Sequence, residues 1–187
     1  NMLMNNNVPF EYLTPNDISK GLAGRYKVLY LPAMLTMRKE LLSLLKKYVQ
    51  DGGRLVMDLP SGWYDENTVN LPTGKGSDFE QLFGATIDDF QFSGTNRQLT
   101  LSGKEVQGFT INSTATAARV VEKYDNGKPA VLEHTIGKGK ALLLGFQASL
   151  NAFENSTKPS LPILQYTLGA YSSSYSCPNA LVYRLAA

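Results

Sequence analysis

Residues 26–67, YKVLYLPAMLTMRKELLSLLKKYVQDGGRLVMDLPSGWYDEN, constrain the fold more than any other stretch, because they read as strand, helix and strand in immediate succession. Residues 26–31 form a short, almost wholly apolar run stopped by Pro32, which suits a strand buried on both faces of a parallel sheet. Thr36 is placed to cap the helix that follows. In that helix Met37, Leu41, Leu44, Leu45, Tyr48 and Val49 recur at helical spacing, with Arg38, Lys39, Lys46, Lys47 and Gln50 mostly between them, so one face is dry and the other solvated. Gly52 and Gly53 stand where the helix must stop. Residues 54–59 return as a second apolar strand, and this order makes a right-handed βαβ unit with parallel strands. Binding and chemistry in such sheets sit beyond the strand carboxyl ends. That position is held here by Pro60, Ser61, Gly62, Trp63, Tyr64, Asp65, Glu66 and Asn67.

The rest of the chain fits around this unit. Residues 8–13 alternate loosely and read as a strand, and Thr14-Pro15-Asn16-Asp17 is a helix start with a capping hydroxyl, a proline in the first turn and an acid behind it. The helix runs to about Leu22, where Gly24 breaks it. After a long loop over 63–76, Ser77 caps a short helix over 78–83 that Gly84 ends. From Ala85 the apolar period changes to two, giving short strands at 86–92, 98–101 and 106–111. Residues 119–124 and 129–135 flank Asp125-Asn126-Gly127 and make a hairpin. Gly137-Lys138-Gly139 turns the chain into 140–146, its most apolar strand. A last helix fits 160–171, with Pro162 in its first turn. The pattern predicts a three-layer α/β domain whose mainly parallel sheet contains 8–13, 26–31, 54–59 and 140–146, with an antiparallel extension over 85–135.

At 187 residues with 43% hydrophobic content, the chain can bury one real core. Eighteen basic and sixteen acidic residues, scattered along the chain, give a formal charge of +2, which is no footprint for nucleic acid. The longest apolar runs fall far short of the roughly 20 residues that span a bilayer, and residues 2–10 lack the pattern of a signal peptide. The expectation is a soluble protein, cytoplasmic or periplasmic, without membrane partners. The single cysteine, Cys177, permits no internal disulfide.

Few residues suggest chemistry. No phosphate-binding loop or dinucleotide fingerprint is present; Gly74-Lys75-Gly76 and Gly137-Lys138-Gly139 are the nearest approaches, and the second reads as hairpin geometry. Cys177 precedes Pro178 in a serine-rich tail without the surroundings that activate a thiol. His134 lies inside an expected strand and reads as structural. One His and one Cys make no metal cluster. The paired acids Asp65-Glu66 and Asp88-Asp89 are neighbours on one segment, and such pairs seldom face a common atom as glycoside hydrolysis requires. Asp65 and Glu66 read instead as acceptors that organise the loop or meet a partner's cation. Trp63 and Tyr64 suit either stacking on a sugar or burial against a partner. No catalytic residue, metal or cofactor is expected.

Several segments together carry a family resemblance: YKVLYLPAML, LLKKYVQDGGRLV, SGWYDEN, FEQLFGATIDDF and KPAVLEHTIGKGKALLLG. Over about residues 8–171 the chain resembles the trimerisation domain of bacterial β-galactosidases of glycoside hydrolase family 42. The resemblance implies a flavodoxin-like, class I glutamine amidotransferase-like fold. It also implies an accessory domain of a longer enzyme whose catalytic (β/α)8 barrel carries two glutamates; no barrel residue lies in this chain, so no catalytic residue transfers. The cysteine nucleophile of amidotransferase-like enzymes has no counterpart at a central strand. In the family a strand and helix usually precede the segment matching 8–13, where only residues 1–7 stand here. Residues 180–185 resemble the first strand of the small β domain that follows.

The chain is therefore expected to comprise an accessory domain over 1–171, then a linker and the opening strand of a further β domain over 172–187. Its expected role is non-catalytic oligomerisation within a β-galactosidase-like hydrolase, with partners in other copies and in the barrel of its own chain. The loop Ser61, Gly62, Trp63, Tyr64, Asp65, Glu66, Asn67 is the candidate interface. The rival reading is a carbohydrate- or small-ligand-binding module using Trp63 and Tyr64, with a saccharide as partner.

Overall fold

The computed structural model describes residues 8–93 and 99–154, together with residues 3, 165 and 166. Thr14 caps helix α1 (Pro15–Ser19) through the reciprocal bond with Asp17 that its spacing predicts. Gly21, at φ 79°, then diverts the chain into a 3-10 turn, Leu22–Arg25, earlier than the expected helix end. Strand β1 (Val28–Leu31) leads through an irregular turn to helix α2 (Lys39–Gln50), which buries Leu41, Leu42, Leu45, Tyr48 and Val49. Each such side chain removed from water contributes roughly 1.5–3 kcal/mol before the entropy of ordering it. Gly52, at φ 116°, ends the helix where a side chain would be strained. Strand β2 (Arg54–Met57) follows, paired in parallel with β1 from Val28–Arg54 to Leu31–Met57.

Ser77 and Gly84 bound α3 (Asp78–Phe83) as expected: the serine hydroxyl accepts from the Glu80 N–H, and Gly84 takes the left-handed conformation. Six strands follow: β3 (Ala85–Ser93), β4 (Leu99–Leu101), β5 (Lys104–Val106), β6 (Gly108–Ala115), β7 (Arg119–Lys123) and β8 (Pro129–Ile136). The last strand, β9 (Gly139–Leu144), precedes helix α4 (Ala148–Glu154). The five-stranded sheet has the order β1-β2-β9-β8-β7. Its β1–β2 and β2–β9 pairs are parallel, whereas β9–β8 and β8–β7 are antiparallel. The architecture is thus α/β with a mixed sheet.

Alternate residues of the central strands enter two cores. Leu29, Leu31, Leu55, Met57, Ala141 and Leu143 face a core shared with α1, α2 and α3. Val56, Leu142 and Leu144 face the other, with Leu101 and Val106 of the β4–β5 hairpin, Phe146 and Ala148. Burial on both faces is why β2 and β9 read as unbroken apolar runs instead of alternating.

Four expectations need correction. Residues 8–13 form no strand: they have side chains for one but pair with no ladder, and Glu11 instead accepts the Tyr26 hydroxyl. Thr36 does not cap α2; Arg38 holds that position without a side-chain bond, while Thr36 forms an isolated bridge with Tyr64. The sheet is not mainly parallel, since two of its four pairings are antiparallel. The period-two segment also does not extend one sheet: only β7 and β8 join it, while β3 and β6 form a separate antiparallel ribbon and β4 and β5 a separate hairpin. In the ribbon the register shifts between Ile87 and Asp89, and among the described residues β3 has β6 as its sole strand partner. The expected helix over 160–171 is described only at residues 165 and 166, which are helical. Cys177, the linker and the strand over 180–185 lie outside the described residues. No helix among the described residues is long and apolar enough to cross a membrane.

Candidate functional site

The loop after β2 is held by the turn after β1, so two strand ends build it together. The Ser61 hydroxyl, fully buried, accepts the Met34 N–H at 2.8 Å, and the Gly62 N–H returns a bond to the Met34 carbonyl at 2.9 Å. Gly62 has φ 65°, which turns the chain for this exchange. The Trp63 and Tyr64 N–H groups both donate to the Leu35 carbonyl, and the Met37 N–H donates to the Tyr64 carbonyl. Tyr64 thereby bridges Thr36 on one side and Asn70 on the other.

Asp65 is buried, and its role is architectural. One carboxylate oxygen accepts the N–H groups of Asn67 and Val69, each at 2.9 Å, and the other lies 3.5 Å from the Lys39 ammonium. The Val69 N–H bond holds its pKa below the usual carboxylate range against the cost of burial, with help from Asn67 and Lys39. This is the loop-organising use that its sequence position suggests. Glu66 and Asn67 are exposed. Glu66 borders a cavity of about 280 Å³ between α1 and the start of α2, floored by Met34, Met37 and Leu41.

Trp63 turns toward the β3–β6 ribbon. Its ring centroid lies 4.2 Å from that of Phe90 and 5.1 Å, edge-on, from that of Phe109, which in turn meets Phe92 at 5.3 Å. Its indole N–H is buried and finds no acceptor among the described residues. The structure thus brings Ser61, Gly62, Tyr64 and Asp65 together as one braced turn and gives Trp63 to an aromatic row that its sequence neighbours do not announce.

The other candidates are structural in their contacts. His134 Nδ1 lies 3.2 Å from the Leu82 carbonyl. The Lys138 N–H is spent on the Gln50 carbonyl and the Gly76 N–H on the Glu80 carboxylate, so neither glycine turn presents free amides in a row. Asp88 accepts the Thr114 hydroxyl at 2.7 Å. Among the described residues no cluster of His, Cys, Asp and Glu could hold a metal ion.

One residue at the strand ends escapes a reading of the sequence. Asp58, directly after β2, is fully buried and accepts three bonds: Tyr30 hydroxyl at 2.9 Å, Ala33 N–H at 2.6 Å and Ser149 N–H at 2.7 Å. Burial pushes its pKa up, although these bonds work in the opposite direction. Burial, with Asp58 beside it, likewise raises the Tyr30 hydroxyl. An acid ending an apolar strand, in RLVMDLP, was the available signal.

An α/β module with a mixed sheet, whose strand-end loop spends its polar groups on its own backbone, defines an accessory domain more readily than a reaction centre. The family follows from comparison: the model of the beta-galactosidase trimerisation domain matches residues 13–157, and the chain belongs to that family. It is 25% identical over 154 residues to the beta-galactosidase LacZ of Heyndrickxia coagulans, covering 78% of this chain and 23% of the relative. A match to GanA of Bacillus subtilis (strain 168) is 25% identical over 128 residues, 64% of this chain and 19% of that one. The chain therefore spans about a fifth of the length of these relatives. Its fold superposes on Gan42B, a GH42 beta-galactosidase from G. stearothermophilus, with a TM-score of 0.68 at 23% identity, covering 85% of this chain and 25% of that one. The beta-galactosidase of the haloarchaeon Halorubrum lacusprofundi gives 0.65 at 22% identity over 78% and 22%.

Proposed function

We propose that this chain is the non-catalytic oligomerisation domain of a longer β-galactosidase-like glycoside hydrolase, joining three copies while catalysis resides in a barrel elsewhere in the parent protein. The observation that carries this reading is the family match over residues 13–157. The acceptors of Asp65 support it, because a carboxylate committed to two backbone N–H groups and a lysine is poorly placed for acid–base work. In the same reading the fold is the flavodoxin-like, class I glutamine amidotransferase-like sandwich, with the accessory domain over residues 1–171 and a linker and strand over 172–187. The loop from Ser61 to Asn67 lies at the contact between copies. Saccharide binding through Trp63 is less favoured, since Phe90 and Phe109 already pack on the ring a sugar would need.

Two measurements test this. Sedimentation velocity of the full-length protein carrying this segment should give the mass of a trimer, and a monomer at all micromolar concentrations would refute the role. The segment alone should release no product from aryl galactosides. Sustained turnover that Asp65→Asn abolishes would establish a hydrolase in its place.

A further inference from the structure

The cavity between α1 and the start of α2 has an apolar floor and a polar mouth. Met37 and Leu41 are buried and, with the half-buried Met34, make the floor. Asn16, Thr36, Arg38 and Glu66 line it as well, and all four are exposed. Their side chains make no hydrogen bond or ion pair with a described residue, whereas Ser61 and Asp65 close by are committed to backbone N–H groups.

The stability of the fold does not account for the two charges. Arg38 stands at the N-cap of α2 without a side-chain bond, where a cation opposes the helix dipole. Glu66 adds nothing to the braced turn, whose working carboxylate is that of Asp65. An apolar concavity with a few polar groups at its mouth is the usual form of a small-molecule site, and about 280 Å³ suits a small occupant.

The lining selects among such molecules. Arg38 is the one cation and Glu66 the one carboxylate among the described residues that line the cavity, so a simple anion meets repulsion from Glu66 and a simple cation from Arg38. No aromatic ring lines it among those residues, so a sugar lacks a face on which to stack. A compact apolar molecule that carries both charges meets neither objection.

We infer that this cavity binds a free α-amino acid with an aliphatic side chain. The Arg38 guanidinium takes the carboxylate, for which its paired donors are suited, and the Glu66 carboxylate takes the ammonium. The side chain rests on Met34, Met37 and Leu41, where the flexible thioethers adapt to a branched shape. Asn16 and Thr36 offer further hydrogen-bonding groups at the mouth.

The test is saturation-transfer difference NMR on the full-length protein with L-leucine as the probe. The leucine methyl protons should receive the strongest saturation, and titration should give a Kd of about 1 mM or less. Arg38→Gln and Glu66→Gln, both at exposed positions, should each weaken binding roughly fivefold, the worth of one exposed charge pair. Isocaproate, which is leucine without its ammonium, should bind the wild type more weakly than leucine does and should bind Glu66→Gln no more weakly than the wild type. No saturation transfer at about 10 mM leucine overturns the inference, as does binding that neither substitution changes. Isocaproate bound as tightly as leucine would make this an anion site, and displacement of leucine by galactose would make it a sugar site; either overturns the assignment. Sedimentation of the same samples reads assembly separately. A trimer that binds no leucine refutes this inference and leaves the proposed role intact, while a variant that loses leucine only together with the trimer assigns the effect to the interface and overturns the site.

Discussion

Asp58 joins the end of β1 and the turn directly beyond it to the start of α4, which lies far along the chain. Even protonated, the carboxyl offers two oxygens that accept, whereas in Asn the amide nitrogen cannot accept and would replace one of them where three donors converge. A buried donor left unpaired costs about 1–3 kcal/mol, so Asp58→Asn should lower stability by about 2 kcal/mol near pH 4 in urea melts. The pH dependence has a definite sign. Because the folded protein holds this carboxyl's pKa above the unfolded value of about 3.9, it binds the proton more tightly than the unfolded chain does, and stability falls as pH rises through the interval between the two values. The gap between wild type and Asp58→Asn should therefore narrow as pH rises; a gap that widens would contradict the shift. Glu133 acts oppositely: burial resists its ionisation, but Lys140 and Arg119 outweigh that and hold its pKa low, so its contribution is present above about pH 4.3 and lost on acidification through the folded value. Neither role is legible in the sequence, since Ser149 stands 91 residues from Asp58 and the cations around Glu133 come from three strands. Asp65 is legible because its backbone partners are two and four residues away.

Elements whose signals are local appear where the sequence places them: α2 by its spacing, α3 by Ser77 and Gly84, and the β7–β8 hairpin by its Asp-Asn-Gly turn. The failures are matters of partnership. Alternation says that a segment can be a strand but not what it pairs with, which is why residues 8–13 stay unpaired and why β3 and β6 leave the main sheet. Gly139 is a middle case. It reads as one half of a turn, yet its decisive property is proximity: a Cβ there would lie 2.1 Å from the Val49 carbonyl oxygen and 2.3 Å from that of Gly53. The end of α2 and the starts of β2 and β9 cross at this point, and none of the obstructing atoms is the tip of a flexible side chain. Gly139→Ala should cost about 3 kcal/mol, the upper end for overpacking. Gly74→Ala, where nothing lies within 4 Å, should stay within about 0.5 kcal/mol of wild type. Equal urea midpoints for the two variants would refute the crossing as a constraint.

At the scale of the whole molecule, stability should be graded from the middle of the sheet outward. β2 and β9 lie inside the five-stranded order, with Leu55, Val56, Met57, Leu143 and Leu144 fully buried, whereas β4 and β5 form a two-stranded hairpin with Lys104 and Glu105 exposed. Amide hydrogen exchange should be slowest in β2 and β9 and faster in the hairpin, because opening a two-stranded ladder that buries only Leu101 and Val106 disrupts less packing than opening a strand buried on both faces. Uniform protection would mean that the ribbon, hairpin and sheet open as one unit. The nine-residue strand β3 carries a different consequence. A long strand with one neighbour is a template to which further strands can be added without limit, and addition of that kind ends in fibres instead of a counted assembly. The register shift between Ile87 and Asp89 breaks the even spacing such growth requires, and the adjacent carboxylates of Asp88 and Asp89 would meet like charges in any copy stacked edge to edge. An edge of this kind limits how far the backbone of one copy can go on adding another.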